Sequence, residues 1–386
     1  MSSAREPDDQ IDRMLAEVSE TVGLDDYGHA SFRDGLEQLV ASARSDAQLN
    51  ALGEVVLDAT CRKALTNRLH VTDWCRQHPD VEREVVGAPL FILGLPRTGT
   101  TALSHLLAAD RNNRSLLAWE ANESIPPPTR ETYSTDPRFE RAMNEPAGVE
   151  MLNPGFKAIH YDPPDMPIEC SVIMAQHFQS PTLSVLFNVK SYDAWMVTAD
   201  ATHTYQYHRQ VLQVLQSHNP GRWQLKTPAH CWYLDALLAT YPDARFVMTH
   251  RDPVRVTGSV CSLARSLSGT FTDADYTTAI AAHWPELIAT MLDRVDEFRS
   301  RNGDDRFYDM RYADLVADPV RAVRSLYEHF GIAWDTQTDT SLREHASVHR
   351  QHRFGEHTYT LEEFGLEADA IRARLSGYLD RFGDYV

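Results

Sequence analysis

The stretch Pro89-Leu90-Phe91-Ile92-Leu93-Gly94-Leu95-Pro96-Arg97-Thr98-Gly99-Thr100-Thr101 joins a short apolar run to a turn bounded by glycines. The apolar run at 89–93 is typical of a fully buried parallel strand, and residues 102–107 are typical of a helix. A strand, a glycine-rich turn and a helix in this order place backbone N–H groups around an anion at the helix N-terminus. The stretch therefore predicts an anion-binding loop within an α/β fold.

The two glycines of this loop, Gly94 and Gly99, have the G-x-x-x-x-G spacing of a phosphate loop. Glycine lets the backbone turn tightly and lets its N–H groups approach phosphate oxygens. A loop that binds ATP or GTP carries a lysine where this chain has Thr100, and that lysine reaches the β- and γ-phosphates. Here the cation lies inside the loop, at Arg97. This favours a donor whose single 5′-phosphate bears the transferring group, without a triphosphate and its Mg²⁺.

The rest of the chain alternates short apolar runs with helical patterns, which predicts a parallel sheet flanked by helices. The loop and this alternation together indicate a P-loop-type α/β fold. The predicted strands lie at 223–225, 245–249 and 306–310, and the predicted helices at 202–217, at 231–241 and from about 318.

The N-terminal part of the chain has a different pattern of apolar residues. Apolar residues recur there at helical spacing between residues 8 and 86, with few strand signals. We therefore expect an N-terminal helical subdomain at 1–87 and a P-loop domain at 88–386. Within the second domain, an acceptor-binding insertion is expected at about 120–220.

The net charge, the cysteine count and the lengths of the apolar runs disfavour several classes of function. The formal net charge of −18 argues against broad nucleic-acid binding, which needs a positive surface. The five cysteines are an odd number without a Cys-x-x-Cys pair, which fits reduced thiols. No apolar run approaches the roughly 20 residues that span a bilayer, and the N-terminus is acidic and polar. We expect a cytoplasmic protein, with peripheral membrane contact left open.

Two further segments accompany the loop: Thr249-His250-Arg251-Asp252-Pro253, with Ser259 following, and Lys226-Thr227-Pro228. With them the chain resembles the sulfotransferases that use 3′-phosphoadenosine-5′-phosphosulfate (PAPS). The resemblance is best to the long bacterial group and more distant to the protein-tyrosine sulfotransferases. It covers residues 88–386, and the acidic helical front also looks like the bacterial group.

The resemblance implies how the donor is held. The loop would bind the 5′-phosphosulfate, while Arg251 and Ser259 would bind the 3′-phosphate through charged and hydroxyl contacts. In relatives the C-terminal segment lies over the nucleotide, where Arg350 and Arg353 would add cations. The donor-binding residues implied in this way are Pro96, Arg97, Thr98, Gly99, Thr100, Thr101, Arg251, Ser259 and Arg353.

Catalytic roles follow from the chemistry of an in-line group transfer. Arg97 and the loop N–H groups would stabilise charge on the departing 5′-phosphate, and Lys226 would neutralise the bridging or sulfonate oxygens. The acceptor hydroxyl needs a base. The resemblance favours Glu120, which follows the loop helix; His230 is the rival, and Glu169 is a third candidate on the acceptor side.

The acceptor is expected to be a small molecule or a lipid with a hydroxyl group. Aromatic side chains between the loop and Lys226 could line an apolar cavity or belong to the core. If they line a cavity, the acceptor is a hydrophobic alcohol such as a lipid, quinone, sterol or natural product. These side chains are Phe156, His160, Phe178, Phe187, Trp195 and Tyr205.

Three alternative functions or sites would require features that this sequence does not carry or does not need. A P-loop kinase or nucleotidase that uses ATP would need a lysine in place of Thr100. A catalytically idle nucleotide-binding protein would not need Glu120 and Lys226 near the donor. A metal site at His345, His349 and His352 lacks an acidic partner in a His-Glu-x-x-His pattern, and sulfuryl transfer requires no metal.

Overall fold

The computed structural model describes residues 7–144, 163–348 and 359–386. Its centre is a five-stranded sheet in the order β2-β3-β1-β4-β5, with every pair of neighbours parallel. The strands are β1 (Leu90–Gly94), β2 (Asn113–Ser115), β3 (Arg222–Lys226), β4 (Arg245–His250) and β5 (Phe307–Arg311). The predicted α/β class with a parallel sheet is confirmed.

Helices cover both faces of this sheet. In the described residues before β3, the α-helices are α1 (Pro7–Val22), α2 (Phe32–Ser45), α3 (Ala51–Gln77), α4 (Thr100–Ala108), α5 (Ala118–Asn122), α6 (Pro137–Asn144), α7 (Ser171–Ala175), α8 (Pro181–Phe187), α9 (Lys190–Met196) and α10 (Thr202–Gln216). The others are α11 (Leu234–Thr240), α12 (Pro253–Ser268), α13 (Thr277–Asn302), α14 (Tyr312–Ala317), α15 (Pro319–His329), α16 (Thr336–Val348), α17 (Ala368–Arg374) and α18 (Ser376–Phe382). Short 3₁₀ helices lie at Pro79–Arg83, Pro228–Trp232, Glu362–Phe364 and Gly383–Tyr385.

Strand β1 occupies the middle of the sheet because it is apolar on both faces. Phe91 and Leu93 point into the larger core, while Leu90 and Ile92 point into a second core on the opposite face. Burying both faces is the usual state of a central parallel strand. Because β3 and β4 flank β1, the residues that follow these three strands meet at the carboxyl edge of the sheet, where α/β folds bind their ligands.

The N-terminal helices α1, α2 and α3 pack into the larger core together with the sheet. Ile11, Leu36 and Leu65 belong to the same buried cluster as Phe91. The helical character predicted for this part of the chain agrees with the structure, whereas the boundary proposed at residue 87 and the insertion at about 120–220 stay predictions. No helix of the described residues is long and apolar enough to cross a membrane.

Strand β2 is the element that the sequence pattern did not indicate. It has three residues, Asn113, Arg114 and Ser115, and none of them is apolar. A polar strand is tolerated there because β2 lies at the edge of the sheet and, among the described residues, pairs only with β3. Short polar edge strands carry no periodic signal. The helix predicted at 231–241 also differs, since it divides into the 3₁₀ helix Pro228–Trp232 and helix α11.

Candidate functional site

The loop after β1 depends on its two glycines. Gly94 has a φ of +135°, and a Cβ there would lie 2.5 Å from Oγ1 of Thr249 on the neighbouring strand. Gly99 has a φ of +92°, and a Cβ there would lie 2.9 Å from the ring of Tyr312. Both positions exclude other residues on backbone and steric grounds. The loop therefore lies tightly between β4 and helix α14, with helix α4 beginning directly after it at Thr100.

Arg97 lies at the tip of this loop with a φ of +68°, in the left-handed region that side chains rarely adopt. Its Nε donates to Oγ of Ser259 on α12 at 3.1 Å. Nη1 of Arg251 donates to the backbone carbonyl of Arg97 at 2.7 Å. Burial, together with the like charge of Arg251, lowers the pKa of Arg97. The fold thus brings three residues predicted to bind the donor into one group.

The guanidinium groups of Arg97 and Arg251 carry like charges, which repel each other unless an anion lies between them or water screens them. The guanidinium of Arg251 lies over the ring of Tyr312, 4.3 Å from its centroid. Among the described residues, no carboxylate lies within ion-pair distance of Arg251, whose contacts are the carbonyl of Arg97 and the ring of Tyr312. The charge of Arg251 is therefore available to a ligand anion, which is what a phosphate site requires.

The threonines of the loop divide into inner and outer ones. Thr98 is buried, and its hydroxyl donates to the carbonyl of Leu95 at 2.7 Å and lies 2.6 Å from Oγ1 of Thr249. Thr100 is also buried. Thr101 is half-buried, and its hydroxyl oxygen accepts from Lys226. The side chain of Thr98 thus supports the loop from within, while that of Thr101 faces the cation.

Lys226 ends strand β3 beside the loop, and its side chain is fully buried. Its Nζ donates to Oγ1 of Thr101 at 3.1 Å and to Oε1 of Glu169 at 3.0 Å. A buried ammonium needs such partners, because leaving an isolated charge in the interior is costly. The side chain of Glu169 is 24% exposed, so the pair opens toward solvent on the carboxylate side.

The segment that carries Glu169 crosses the carboxyl ends of β2 and β3. The N–H of Ile168 donates to the carbonyl of Leu116 at 2.8 Å, and that of Cys170 donates to the carbonyl of Lys226 at 2.8 Å. These backbone bonds fix Glu169 next to Lys226 before helix α7 begins. A carboxylate, an ammonium and a hydroxyl thereby converge beside the loop.

Glu120 lies elsewhere, on helix α5, and is fully buried. Its two carboxylate oxygens accept from Nη1 and Nη2 of Arg114 at 2.7 and 2.6 Å, and Oε1 also accepts from the N–H of Leu117. Burial alone would lower the pKa of Arg114, but the carboxylate of Glu120 raises it above its ordinary value. The structure does not bring Glu120 together with Lys226, and it occupies both oxygens of Glu120 in an ion pair.

His230 is a core residue in the 3₁₀ helix that follows β3. Its ring packs edge-on against Phe91, and its Nδ1 lies 2.7 Å from the hydroxyl of Tyr205. Burial lowers the pKa of His230 well below its ordinary value, so the ring is neutral near pH 7. Its buried Nε2 has no hydrogen-bond partner among the described residues. The fold does not join His230 to the group around Lys226.

The aromatic residues considered for the acceptor are mostly core. Phe178, Phe187 and Tyr205 are almost completely buried, whereas Trp195 is half-buried. Phe156, His160, Arg350, Arg353, His349 and His352 lie outside the described residues. The residues that are described contain no group of three or more His, Cys, Asp or Glu side chains able to hold a metal ion.

Two neighbours of this site were not singled out from the sequence. Tyr312 supports Arg251 and limits the loop at Gly99, and its signal was its place two residues after the last predicted strand. Thr227 follows Lys226, and its hydroxyl donates to Oε2 of Glu169 at 3.1 Å. Its signal was that neighbouring lysine, since residues that end adjacent parallel strands meet at one edge of the sheet.

The parallel sheet and the loop that carries Arg97 place the chain in the class of P-loop-type α/β proteins. Comparison with known proteins gives the family. Residues 89–336 match the profile described as Sulfotransferase family. The chain belongs to the sulfotransferase family. The predicted enzyme class, a transferase of sulfuryl groups, is thereby confirmed, and the kinase alternative is not supported.

Among solved structures, the chain is similar to the sulfotransferase STF1 from Mycobacterium tuberculosis, with 32% identity and a TM-score of 0.85 over 95% of this chain and 98% of that one. It is also similar to the sulfotransferase STF9 from Mycobacterium avium, with 32% identity and a TM-score of 0.87 over 96% of each chain. A curated relative is the omega-hydroxy-beta-dihydromenaquinone-9 sulfotransferase Stf3 of Mycobacterium bovis, 24% identical over 78% of this chain and 76% of that protein.

Proposed function

We propose that this protein transfers a sulfuryl group from PAPS to the hydroxyl of an apolar lipid acceptor of the quinone type. The observation that carries the proposal is the convergence of Arg97, Arg251 and Ser259 on one side of the loop with Lys226 and Glu169 on the other. The first group suits a donor with two separate phosphates. In the second group, Lys226 suits the negative charge that builds on the transferring sulfonate, and Glu169 suits an acceptor that loses a proton.

On the donor side, Arg251 and Ser259 would bind the 3′-phosphate, and the loop would hold the 5′-phosphate at the N-terminus of α4. Arg97 would stabilise the charge that develops on the departing 5′-phosphate. Lys226 would hold the sulfonate or bridging oxygens. Thr101 and Glu169 hold the ammonium of Lys226 beside the loop, so it is already in position when the charge develops.

On the acceptor side, we propose Glu169 as the general base. Glu169 lies beside Lys226 and is partly exposed, so an acceptor hydroxyl can reach it. Glu120 has both oxygens engaged by Arg114 inside the core, and the ring nitrogens of His230 lie in the core as well. Geometry comes first in choosing a base, and it favours Glu169.

Two arguments support the proposed class of acceptor: the name of the relative Stf3 and the preference for a hydrophobic alcohol predicted from the sequence. Stf3 is named for a menaquinone that bears a hydroxyl group. We propose that the present enzyme takes an acceptor of the same chemistry, a hydroxylated isoprenoid quinone or a similar long apolar alcohol.

Donor binding provides the first prediction. At 100 times its Kd, 3′-phosphoadenosine-5′-phosphate (PAP) is expected to raise the free energy of unfolding by about 2.7 kcal/mol, and adenosine 5′-phosphate at the same concentration by much less. Thermal unfolding with PAP, adenosine 5′-phosphate and ATP measures this. Arg251→Ala should remove the preference for PAP over adenosine 5′-phosphate. Stabilisation by ATP without stabilisation by PAP would contradict the proposal.

Lys226 provides the second prediction. Lys226→Met is expected to lower kcat about 100- to 1,000-fold, in the range seen when a group that stabilises developing charge is removed. Stabilisation by PAP should persist, since Arg251 and Ser259 remain. Initial rates of sulfuryl transfer check this, with Lys190→Met as the matched control. Near-normal kcat in Lys226→Met would exclude the assigned role.

A further inference from the structure

The two oxygens of the Glu169 carboxylate lie in different surroundings. Oε1 accepts one hydrogen bond, from Nζ of Lys226 at 3.0 Å. Oε2 accepts two, from the hydroxyl of Thr227 at 3.1 Å and from that of Ser171 at 3.3 Å. A carboxylate oxygen has two lone pairs. Within the described part of the chain, Oε2 is therefore saturated, whereas Oε1 keeps one lone pair open.

Both hydroxyl donors are held in place. Thr227 is fully buried between β3 and the following 3₁₀ helix, and Ser171 is 2% exposed. The hydroxyl of Thr182 on α8 donates to Oγ of Ser171 at 3.0 Å. Because the oxygen of Ser171 accepts that bond, its own proton is directed to Glu169. The carboxylate is thus oriented by hydroxyl groups from two separate segments.

We infer that Thr227 and Ser171 are positioning residues that occupy Oε2 and thereby assign the uptake of the acceptor proton to Oε1, the oxygen beside Lys226. This inference rests on the proposed function, in which Glu169 is the base. Neither hydroxyl touches the reacting atoms. Both act through the orientation and charge of the carboxylate.

The acceptor O–H bond breaks and its proton moves to Oε1, while the acceptor oxygen forms a bond to sulfur. The bond between sulfur and the 5′-phosphate oxygen breaks, and its electron pair leaves with PAP. Once Oε1 is protonated, Lys226 loses its anionic partner just as negative charge builds on the donor. The ammonium is then available to the donor oxygens, where it stabilises the transition state.

The test uses the pH dependence of kcat/KM. Losing a donor to the carboxylate favours its protonated form, so in Thr227→Val the low-pH half-point of kcat/KM is expected to move up by about one pH unit. Ser171→Ala should move it in the same direction. Thr227→Ser, which restores a hydroxyl, should restore the half-point. Thr240→Val is the matched control: this threonine on α11 is buried, and among the described residues its hydroxyl bonds only to the carbonyl of Ala236.

The outcomes distinguish failure of the positioning role of Thr227 and Ser171 from failure of Glu169 as the base. Stabilisation by PAP is measured for every variant, which shows that each is folded and binds the donor. Profiles of Thr227→Val and Ser171→Ala that superimpose on the parent profile, with Glu169→Gln inactive, would overturn the positioning inference alone. Full activity in Glu169→Gln would overturn Glu169 as base. A shift in both hydroxyl variants with rescue by Thr227→Ser supports the inference.

Discussion

Glu169→Gln is expected to lower kcat by about 100- to 10,000-fold, the range that general-base catalysis contributes. Glutamine keeps the shape of the side chain and can still accept from Thr227, but it cannot take the acceptor proton. The donor site does not include Glu169, so PAP should stabilise the variant as it stabilises the parent. Single-turnover transfer from labelled PAPS measures the chemical step directly.

Glu120→Gln is the matched control, because it tests the other glutamate that was considered as the base. In our account Glu120 is held by Arg114 in the core, so its loss acts on stability and not on proton transfer. Activity per folded molecule, measured well below the melting temperature and with PAP present, should remain near the parent value. The opposite pattern, with an active Glu169→Gln and an inactive but folded Glu120→Gln, would move the base to Glu120.

Arg114→Met is expected to lower the free energy of unfolding by about 3–5 kcal/mol, as is found when one partner of a buried ion pair is removed. Arg114 is 6% exposed and Glu120 is fully buried, so the variant leaves an unpaired carboxylate in the core. The guanidinium also packs against Trp223, 4.7 Å from the ring centroid. Urea unfolding followed by fluorescence measures the change.

Two variants make this prediction specific. Arg114→Met combined with Glu120→Gln should recover part of the loss, because the unpaired charge is gone. Arg141→Met breaks an exposed pair with Glu123, whose side chains are each 46% exposed, and should cost less than about 1 kcal/mol. A similar small cost for Arg114→Met would show that the pair with Glu120 does not stabilise the fold.

Much of the donor side could be predicted from the sequence because its signals are local. Gly94 and Gly99 have backbone angles that only glycine adopts readily, and the strand before them is apolar on both faces. Arg251 and Ser259 were assigned to the donor by the family resemblance, and the parallel sheet brings Arg251 beside the loop. Local spacing and the resemblance together predicted which residues belong to this half of the site.

The acceptor side depends on contacts that no local pattern shows. Glu120 was favoured for its position after the loop helix, but its surroundings are decided by Arg114, which lies on the unpredicted edge strand β2. Glu169 and Lys226 are 57 residues apart in the chain, and they meet because backbone bonds join Ile168 to Leu116 and Cys170 to Lys226. The choice between the two glutamates required knowing that Arg114 engages both oxygens of the buried Glu120, whereas Glu169 is partly exposed beside Lys226.

The most direct measurement of the central claim is transfer itself. Purified protein, PAPS labelled with ³⁵S and a hydroxylated menaquinone are incubated together, and the lipid and nucleotide products are separated. We expect one equivalent of sulfated lipid for each equivalent of PAP, with no transfer when the terminal hydroxyl is absent from the quinone. Release of PAP without label in any lipid, or equal labelling of quinones with and without the hydroxyl, would contradict the account.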